Sequence, residues 1–205
     1  MKYPRTYHLP WSPGATSDDK IQNDLSSFEG KNIILSEKMD GENTTMETVK
    51  YHARSEDSNN HPSRNWCKGL WGSIKHEIPA DWRICGENLY AKHSIFYDKL
   101  PSYFMMFSVW NENNTCLSWD ETIEYSQLLG LEPVPVLFRG KFDENMIRNF
   151  HKTLDLEKQE GFVMRLSEPF EHEDFSTSVV KWVREKHVTT SEHWTNQPMI
   201  KNLLK

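Results

Sequence analysis

The six residues Lys38-Met39-Asp40-Gly41-Glu42-Asn43 come shortly after an apolar run, residues 32–35. A strand that ends in a glycine turn is the simplest interpretation of this pattern. On an extended chain Lys38 and Asp40 point to the same face, and Gly41 allows the backbone to turn sharply or to approach a ligand closely. The pattern predicts a lysine presented beside a turn, although these residues alone fit an ordinary surface turn equally well.

Apolar residues at helical spacing predict helices on both sides of this stretch. Ile21, Leu25 and Phe28 fall on one face of a helix over residues 17–29, which Gly30 ends. Three further helices are predicted: residues 118–130, which begin with the Ser118–Glu121 capping box, a segment that Asp143 caps, and the last stretch from about Ser191.

Segments rich in β-branched and aromatic residues predict the strands. They are residues 82–85, 103–110, 161–166 and 177–183. Residues 55–66 are polar and predict a loop that begins just after Arg54. Strands of mixed spacing with helices of different lengths indicate an α+β fold rather than a regular βαβ repeat. With 205 residues the chain has the length of one domain, so we expect one site.

The composition excludes several classes of protein. No apolar run approaches the roughly 20 residues of a membrane helix, and the N-terminus lacks the pattern of a secretory signal, so a cytoplasmic protein is expected. The cysteines Cys67, Cys85 and Cys116 lie far apart, which argues against a zinc site or a disulfide framework. A net charge of −6 argues against binding nucleic acid over the whole surface and leaves room for a local basic groove.

Further segments follow Lys38 in an order that is informative as a set. They are Arg54-Ser55, Gly86-Glu87-Asn88, Phe107 within its strand, Glu160-Gly161-Phe162-Val163-Met164-Arg165 and Val180-Lys181-Trp182. This ordered set resembles the covalent nucleotidyltransferase superfamily of ATP-dependent DNA ligases, RNA ligases and mRNA capping enzymes, whose first motif is Lys-x-Asp-Gly. The resemblance covers roughly residues 37–184. It implies a ligase adenylation domain with mixed, mainly antiparallel sheets, flanking helices and a central nucleotide cleft.

The resemblance also implies the catalytic residues. Lys38 carries AMP covalently, Arg54 contacts the nucleotide and the incoming 5′-phosphate end, and the first lysine of the last motif, Lys181, meets the α-phosphate. Phe107 matches the aromatic that stacks on the purine. An aromatic in an apolar strand is more often a core residue, and the nearby Phe104 is an alternative candidate.

The remaining positions of the site are assigned by the same resemblance. Glu87 binds the ribose or a metal-bound water and Glu160 supports the metal, directly or through water. Glu37, Asn43 and Arg184 complete the set of nucleotide-binding residues.

Two features favour RNA ligases within the superfamily, and one departs from its pattern. Asn43 stands where DNA ligases and capping enzymes usually carry arginine, and residues 181–194 resemble small bacterial and phage RNA ligases. The family often has Lys-x-Lys in its last motif, whereas Val183 occupies the second position here. Either Arg184, which points to the opposite face of an ideal strand, or Lys186 would then replace the second lysine.

The resemblance implies an ATP-dependent RNA ligase that joins 5′-phosphate and 3′-hydroxyl RNA ends through lysyl-AMP and RNA-adenylate intermediates. A DNA ligase, a GTP-using capping enzyme and a non-catalytic nucleotide- or RNA-binding module remain as alternatives. Residues 1–205 are expected to form one minimal adenylation domain without a separate OB-fold. The RNA must then be held by this domain or by an unknown helper protein.

The chemistry of the lysine explains why a metal is expected. A lysine attacks only as the free amine, and with a pKa near 10.4 only about one in a few thousand is neutral at pH 7. Glu37, Asp40 and Glu42 would favour the ammonium form. A divalent cation, Mg²⁺ or Mn²⁺, would neutralise carboxylates such as Glu87 and Glu160 and add positive charge near the amine.

Overall fold

The computed structural model describes residues 1–55, 60–185 and 198–205. The strands in chain order are β1 (Tyr7–His8), β2 (Asn32–Glu37), β3 (Glu42–Met46), β4 (Tyr51–Ala53), β5 (Arg83–Asn88), β6 (Phe104–Trp110), β7 (Thr115–Cys116), β8 (Glu132–Pro133), β9 (Val136–Lys141), β10 (Gly161–Leu166), β11 (Phe170–Glu171) and β12 (Val179–Val183). The α-helices are α1 (Asn65–Ile74), α2 (Trp119–Leu128), α3 (Glu144–Phe150) and α4 (Phe175–Ser178).

The strands of the described chain form two sheets. The first has the order β1-β12-β10-β2-β9, and the second has the order β11-β7-β6-β5-β3-β4 with β8 beside β6. Only the β1–β12 and β6–β8 pairs are parallel among these named strands. The predicted α+β class with mixed, mainly antiparallel sheets is confirmed.

Four apolar clusters are formed by the described residues, and three of them illustrate the packing of the two sheets. Ile147 of α3 packs with the fully buried Phe162 of β10 on one face of the first sheet. Cys67 of α1 packs against the second sheet. A third cluster contains Ile34 of β2 and Met105 of β6, so it joins the two sheets. Burial of apolar side chains from both sheets therefore fixes the sheets relative to one another.

The link between the two sheets is the Lys38–Gly41 stretch. Strand β2 of the first sheet ends at Glu37, and β3 of the second sheet begins at Glu42. A Cβ atom on Gly41 would lie 2.5 Å from the carbonyl oxygen of Asn88 and 2.8 Å from Cδ2 of Leu89. Glycine is needed here because the backbone approaches β5 closely, whereas the sequence suggested a sharp turn or a close approach to a ligand.

The helix predicted over residues 17–29 is wrong. A 3₁₀ turn, Ser26–Phe28, is the only helical part of that segment. The backbone of His8 instead donates to the carbonyl of Lys20 and accepts from the amide of Gln22, each at 2.8 Å. Ile21, which was expected on the buried face, is exposed. Pairing with β1 therefore outweighs the helical spacing of three apolar residues.

The other helix predictions have mixed outcomes. The capping box of Ser118 and Glu121 is present at the start of α2, and the carboxylate of Asp143 accepts from Met146 N at the start of α3. The predicted C-terminal helix is wrong for residues 198–205, which contain two isolated β-bridges and no helix, and its residues 191–197 lie outside the described chain. No helix in the described ranges has the length and apolar character needed to cross a membrane.

The predicted strands are present with changed bounds, and the predicted loop over residues 55–66 is wrong for residues 62–66. Residues 56–59 of the 55–66 loop lie outside the described residues, and Pro62–Arg64 form a 3₁₀ turn that leads into α1. Helix α1 was not predicted because its residues, Asn65–Ile74, include two glycines and mixed polar and aromatic side chains.

Candidate active site

A cavity of about 260 Å³ lies where the two sheets meet beside the Lys38–Gly41 link. Seven of the residues predicted for the site line it: Glu37, Lys38, Asn43, Arg54, Glu87, Phe107 and Lys181. Five of them lie on β2, β3, β5, β6 and β12. The other two are Lys38, in the connection between β2 and β3, and Arg54, directly after β4. Residues separated by up to 144 positions in the sequence therefore meet in one place.

Lys38, which lines this cavity, is paired with Glu160, a predicted site residue that lies behind the cavity wall and does not line it. Nζ of Lys38 donates to Oε2 of Glu160 at 2.6 Å, and Glu160 is only 5% exposed. The backbone amide of Lys38 donates to the carbonyl of Gly161 at 3.0 Å, which holds the two residues together. Burial lowers the pKa of the Lys38 amine, but the charges of Glu160 and Glu87 outweigh it and raise the pKa above its ordinary value.

Glu87 is the second carboxylate beside the lysine. Burial raises the pKa of Glu87 to about 8, with help from the negative charges of Glu160 and Asp40 and against the charge of Lys38. Its Oε1 accepts from the amide of Gly41 at 3.2 Å. The raised pKa of Glu87 thus reflects both its burial and the negative charge that is concentrated beside Lys38.

The Asp40 side chain bonds to the backbone beside the turn and does not line the cavity. Its Oδ2 accepts from the amides of Ser94 and Ile95, both at 2.7 Å, and the residue is buried. The structure does not place Asp40 on the cavity wall beside Lys38. Its negative charge nevertheless contributes to the raised pKa of Lys38.

Two predicted cations lie on the wall of the same cavity. Burial, and then the charge of Lys38, lower the pKa of Lys181. Burial, and then the charge of Arg5, lower the pKa of Arg54. The buried Nε of Arg54 has no hydrogen-bond partner among the described residues. Both side chains are therefore available to an anion.

Phe107, and not Phe104, is the aromatic that faces the cavity. Phe104 is fully buried in the core of the second sheet, whereas Phe107 is partly exposed and lines the cavity. The ring of Tyr3 meets Phe107 edge-on with 5.3 Å between ring centroids. Of the two candidate aromatics, only Phe107 is therefore placed to contact a ligand in the cavity.

Glu37 and Asn43, two further predicted residues, differ in whether their side-chain oxygens have a hydrogen-bond partner. Glu37 accepts from Nε2 of Gln159 at 2.9 Å, and burial raises the pKa of its carboxyl. Oδ1 of Asn43 is buried and has no hydrogen-bond partner in the described parts of the chain. An unpaired buried amide oxygen is costly, so Asn43 is suited to accept from a ligand.

Arg184 does not line the cavity, which departs from its prediction as a nucleotide-binding residue. Its backbone amide donates to the carbonyl of Glu160 at 3.0 Å. Strand β12 ends at Val183, and Lys181 already faces the cavity, so position 184 follows on the opposite face. Lys186, the other candidate for the second lysine, lies outside the described residues.

The N-terminal segment is a part of the site that the sequence analysis missed. Residues 3–6 line the cavity, because β1 pairs in parallel with β12 and places His8 beside Lys181. Asp19 also lines it, and its charge partly balances the burial of Lys181. No local pattern predicts these contacts, since they depend on pairing between the first and the last named strands.

Arg165, the last residue of the Glu160–Arg165 motif, also lines the cavity but is held by the protein. Its guanidinium donates to the carbonyl of Leu117 at 2.7 Å and to that of Leu166 at 3.0 Å. It is 4% exposed. Its contacts join β10 to the second sheet, so its role is structural.

A model of the RNA ligase family matches residues 31–183, from the start of β2 to the end of β12. The chain belongs to the RNA ligase family. The matched range includes every predicted site residue except Arg184, and the predicted resemblance is confirmed. A search of curated proteins with this sequence finds no match.

Solved structures with the same fold include several ligases. An archaeal ATP-dependent RNA ligase has a TM-score of 0.61 at 15% identity, over 89% of this chain and 48% of that chain. A putative ATP-dependent DNA ligase from Aquifex aeolicus has a TM-score of 0.57 at 20% identity, over 89% and 50%. A variant of the Naegleria gruberi RNA ligase with ATP and Mn has a TM-score of 0.56 at 13% identity, over 90% and 62%.

This member of the RNA ligase family spans about half the length of the solved ligases that it resembles. At identities of 20% or less, the likeness concerns the fold. It confirms the predicted ligase nucleotidyltransferase architecture and leaves the substrate to be argued from the site.

Proposed function

We propose that this chain is an ATP-dependent RNA ligase that forms a covalent lysyl-AMP on Lys38. The observation that supports it is the arrangement around one cavity. Its wall carries Lys38, Glu87, Arg54 and Lys181, and the Lys38 amine pairs with the carboxylate of Glu160. A cavity of about 260 Å³ accommodates the larger part of a nucleotide. The RNA ligase family supplies the substrate class.

The proposed reaction has three transfers. The amine of Lys38 attacks the α-phosphorus of ATP, a nitrogen–phosphorus bond forms, and pyrophosphate leaves. An oxygen of an RNA 5′-phosphate then attacks the same phosphorus and releases the lysine. Finally an RNA 3′-hydroxyl attacks the 5′-phosphorus, the phosphodiester forms and AMP leaves. Positioning and charge neutralisation account for most of the catalysis in such transfers.

Glu160 controls the proton of Lys38 in this scheme. The carboxylate lies 2.6 Å from Nζ, within the range of proton transfer, and in the absence of nucleotide it favours the ammonium form. The lysine therefore becomes nucleophilic only when the charge around Glu160 changes. This would keep the amine inert until the substrate is bound.

The two carboxylates fit a divalent cation. The negative charge of Glu160 contributes to the raised pKa of Glu87, and a cation would relieve this repulsion. The described residues contain no group of three or more His, Cys, Asp or Glu arranged to hold a metal. Mg²⁺ and Mn²⁺ suit such a site, because they bind through one or two carboxylates together with substrate phosphates. The cation would supply charge neutralisation beside the phosphates.

Arg54 and Lys181 would bind the phosphates, and Phe107 the base. Lys181 would neutralise the α-phosphate, where charge develops during each transfer. Stacking of adenine on the Phe107 ring would contribute roughly 1–3 kcal/mol. The buried Oδ1 of Asn43 would accept a hydrogen bond from the nucleotide.

Arg5 would extend this site towards the RNA 5′-end. It lines both the main cavity and a second pocket of about 290 Å³ that also contains Lys20 and His172. Arg5 and Arg54 are close enough to repel one another, so an anion between them would be stabilised. The terminal 5′-phosphate has the charge to fill this position.

Labelling with radioactive ATP tests the proposal. Incubation with α-labelled ATP and Mg²⁺ should give an acid-stable labelled protein, and Lys38→Ala should abolish the label. Lys141→Ala, an exposed lysine of β9, is the matched control and should label like the wild type. Equal labelling of the Lys38 variant would refute the proposal, and so would unchanged labelling in the presence of a chelator.

Substrate assays separate the remaining functions. Sealing assays with nicked RNA and nicked DNA distinguish an RNA ligase from a DNA ligase. Labelling with GTP distinguishes both from a capping enzyme. Absence of any labelled adduct would indicate a non-catalytic binding module. We expect ATP to label the protein and RNA ends to be sealed in preference to DNA ends.

A further inference from the structure

The C-terminal segment, residues 198–205, lies against the loop that connects β5 to β6. Lys201 forms a bridge with Ala91, and Leu204 forms one with Leu100. The amide of Leu100 donates to the carbonyl of Leu203 at 2.9 Å. The region matched by the family model ends at residue 183, so this segment lies outside it.

Asn202 is the residue that fixes the segment to the loop. Its side chain is fully buried, its Oδ1 accepts from the amide of Tyr97 at 3.0 Å, and its Nδ2 donates to the carbonyl of Leu89 at 2.8 Å. Its backbone amide donates to the carbonyl of Tyr90, and its carbonyl accepts from the hydroxyl of Tyr103, each at 3.0 Å. A buried amide that is bonded in this way holds one conformation.

The same loop holds Asp40, two residues after Lys38. The carboxylate of Asp40 accepts from the amides of Ser94 and Ile95 at 2.7 Å, and its backbone amide donates to the hydroxyl of Tyr97 at 3.0 Å. Tyr97 is therefore held at both ends, with its backbone amide on Asn202 and its hydroxyl on Asp40. The C-terminal segment and the Lys38–Gly41 link thus both bond to this one residue, the former through its backbone and the latter through its side chain.

We propose that Asn202 is a positioning residue for Lys38, which it holds in place through Tyr97 and Asp40. The inference rests on the proposed function, in which Lys38 attacks ATP. The link from Lys38 to Gly41 is four residues long and is fixed at Asp40 by hydrogen bonds to the loop. Loss of the Asn202 contacts would let the loop shift, and the lysine would shift with it. Misplacement of a reacting group slows the reaction while the wall that binds the nucleotide remains.

Two variants on neighbouring residues test this inference. Asn202→Ala removes the buried amide, and Leu203→Ala truncates an exposed side chain of the same segment as the control. The rate of lysyl-AMP formation in a single turnover should fall about tenfold or more at saturating ATP in Asn202→Ala, with the KM for ATP within about twofold of wild type. Leu203→Ala should resemble the wild type. A wild-type rate in Asn202→Ala, or a change in KM alone, would overturn the proposal.

Tyr97→Phe keeps the inference testable if Asn202→Ala does not fold. It removes only the hydroxyl that accepts from the amide of Asp40 and keeps the ring. It should also slow the labelling at saturating ATP, and a wild-type rate would exclude the connection through Tyr97. Thermal unfolding of each variant establishes that folded protein is compared. If the wild-type protein is not labelled at all, the proposed function fails, whereas labelled wild type with unaffected variants removes only the role of Asn202.

Discussion

Nζ of Lys38 and Oε2 of Glu160 lie 2.6 Å apart, although 122 residues separate them in the sequence. Their contact depends on the antiparallel pairing of β2 with β10, which brings the end of one strand beside the start of the other. In the absence of a nucleotide, this pair keeps the amine protonated. In the proposed reaction, the resting site would therefore hold the Lys38 amine in an unreactive form.

Removal of the negative charge of Glu160 should make the Lys38 amine reactive at lower pH. In Glu160→Gln the side chain can still accept a hydrogen bond but carries no charge, so the pKa of Lys38 should fall. Modification of Lys38 by an amine-reactive reagent without ATP, followed by mass spectrometry of the peptide, should reach half its maximal rate at a lower pH than in the wild type. Glu157→Gln, an exposed position, is the control and should leave the profile unchanged.

Glu87 should make the folded protein less stable as the pH rises. Its folded pKa of about 8 lies above the ordinary value of 4.5. Between these values the folded state keeps a proton that the unfolded state has lost, so this contribution to stability is complete below about pH 4.5 and disappears as the pH passes 8. Each unit of pH in the window costs at most about 1.4 kcal/mol.

Glu87→Gln should flatten this part of the stability profile, because the amide does not titrate. Urea unfolding at several pH values between 5 and 8 would measure the free energy of unfolding for both proteins, without metal or nucleotide. Glu132→Gln, an exposed position of β8, should keep the wild-type slope. Parallel profiles for the wild type and Glu87→Gln would contradict the burial argument.

Arg5→Ala should weaken the binding of RNA that carries a 5′-phosphate. Arg5 lies where the main cavity meets the second pocket, so we expect about a tenfold rise in Kd for 5′-phosphorylated RNA and little change for 5′-hydroxyl RNA or ATP. Lys2→Ala removes an exposed charge from the same segment as the control. An equal loss of affinity for both RNAs would mean that Arg5 does not contact the terminal phosphate.

The sequence predicts the central residues of the site through the resemblance of its ordered motifs to the nucleotidyltransferase superfamily, and the strands on which these motifs lie are paired. Lys38 follows β2, Glu160 precedes β10, and Lys181 lies within β12, so strand pairing alone brings them together. The alternation of side chains then decides that Lys181 faces the cavity and that Arg184 does not. These are local properties of a strand, which a single sequence carries.

The parts that sequence reasoning missed depend on contacts between distant segments. Arg5 lines the cavity because β1 pairs with β12, and Ile21 is extended because it bridges to His8. Asn202 reads as an ordinary polar residue near a chain end until the loop that it bonds is known. Helical periodicity over residues 17–29 was the stronger local signal there, and tertiary pairing overrode it.

Two glycines with opposite surroundings test how tightly the Lys38–Gly41 link is packed. In Gly41→Ala the new Cβ would lie 2.5 Å from the carbonyl oxygen of Asn88, which belongs to the backbone of β5 and cannot rotate away. The link or the strand must move, which should cost roughly 1–3 kcal/mol of unfolding free energy and displace Lys38. In Gly72→Ala, within α1, nothing lies within 4 Å of the new Cβ, so the helix should gain roughly 0.5–1 kcal/mol. Denaturant unfolding and ATP labelling should show that Gly41→Ala is less stable than the wild type and weakly labelled. Gly72→Ala should be more stable than the wild type and normally labelled. Equal stability and labelling of the two variants would mean that the link tolerates a side chain.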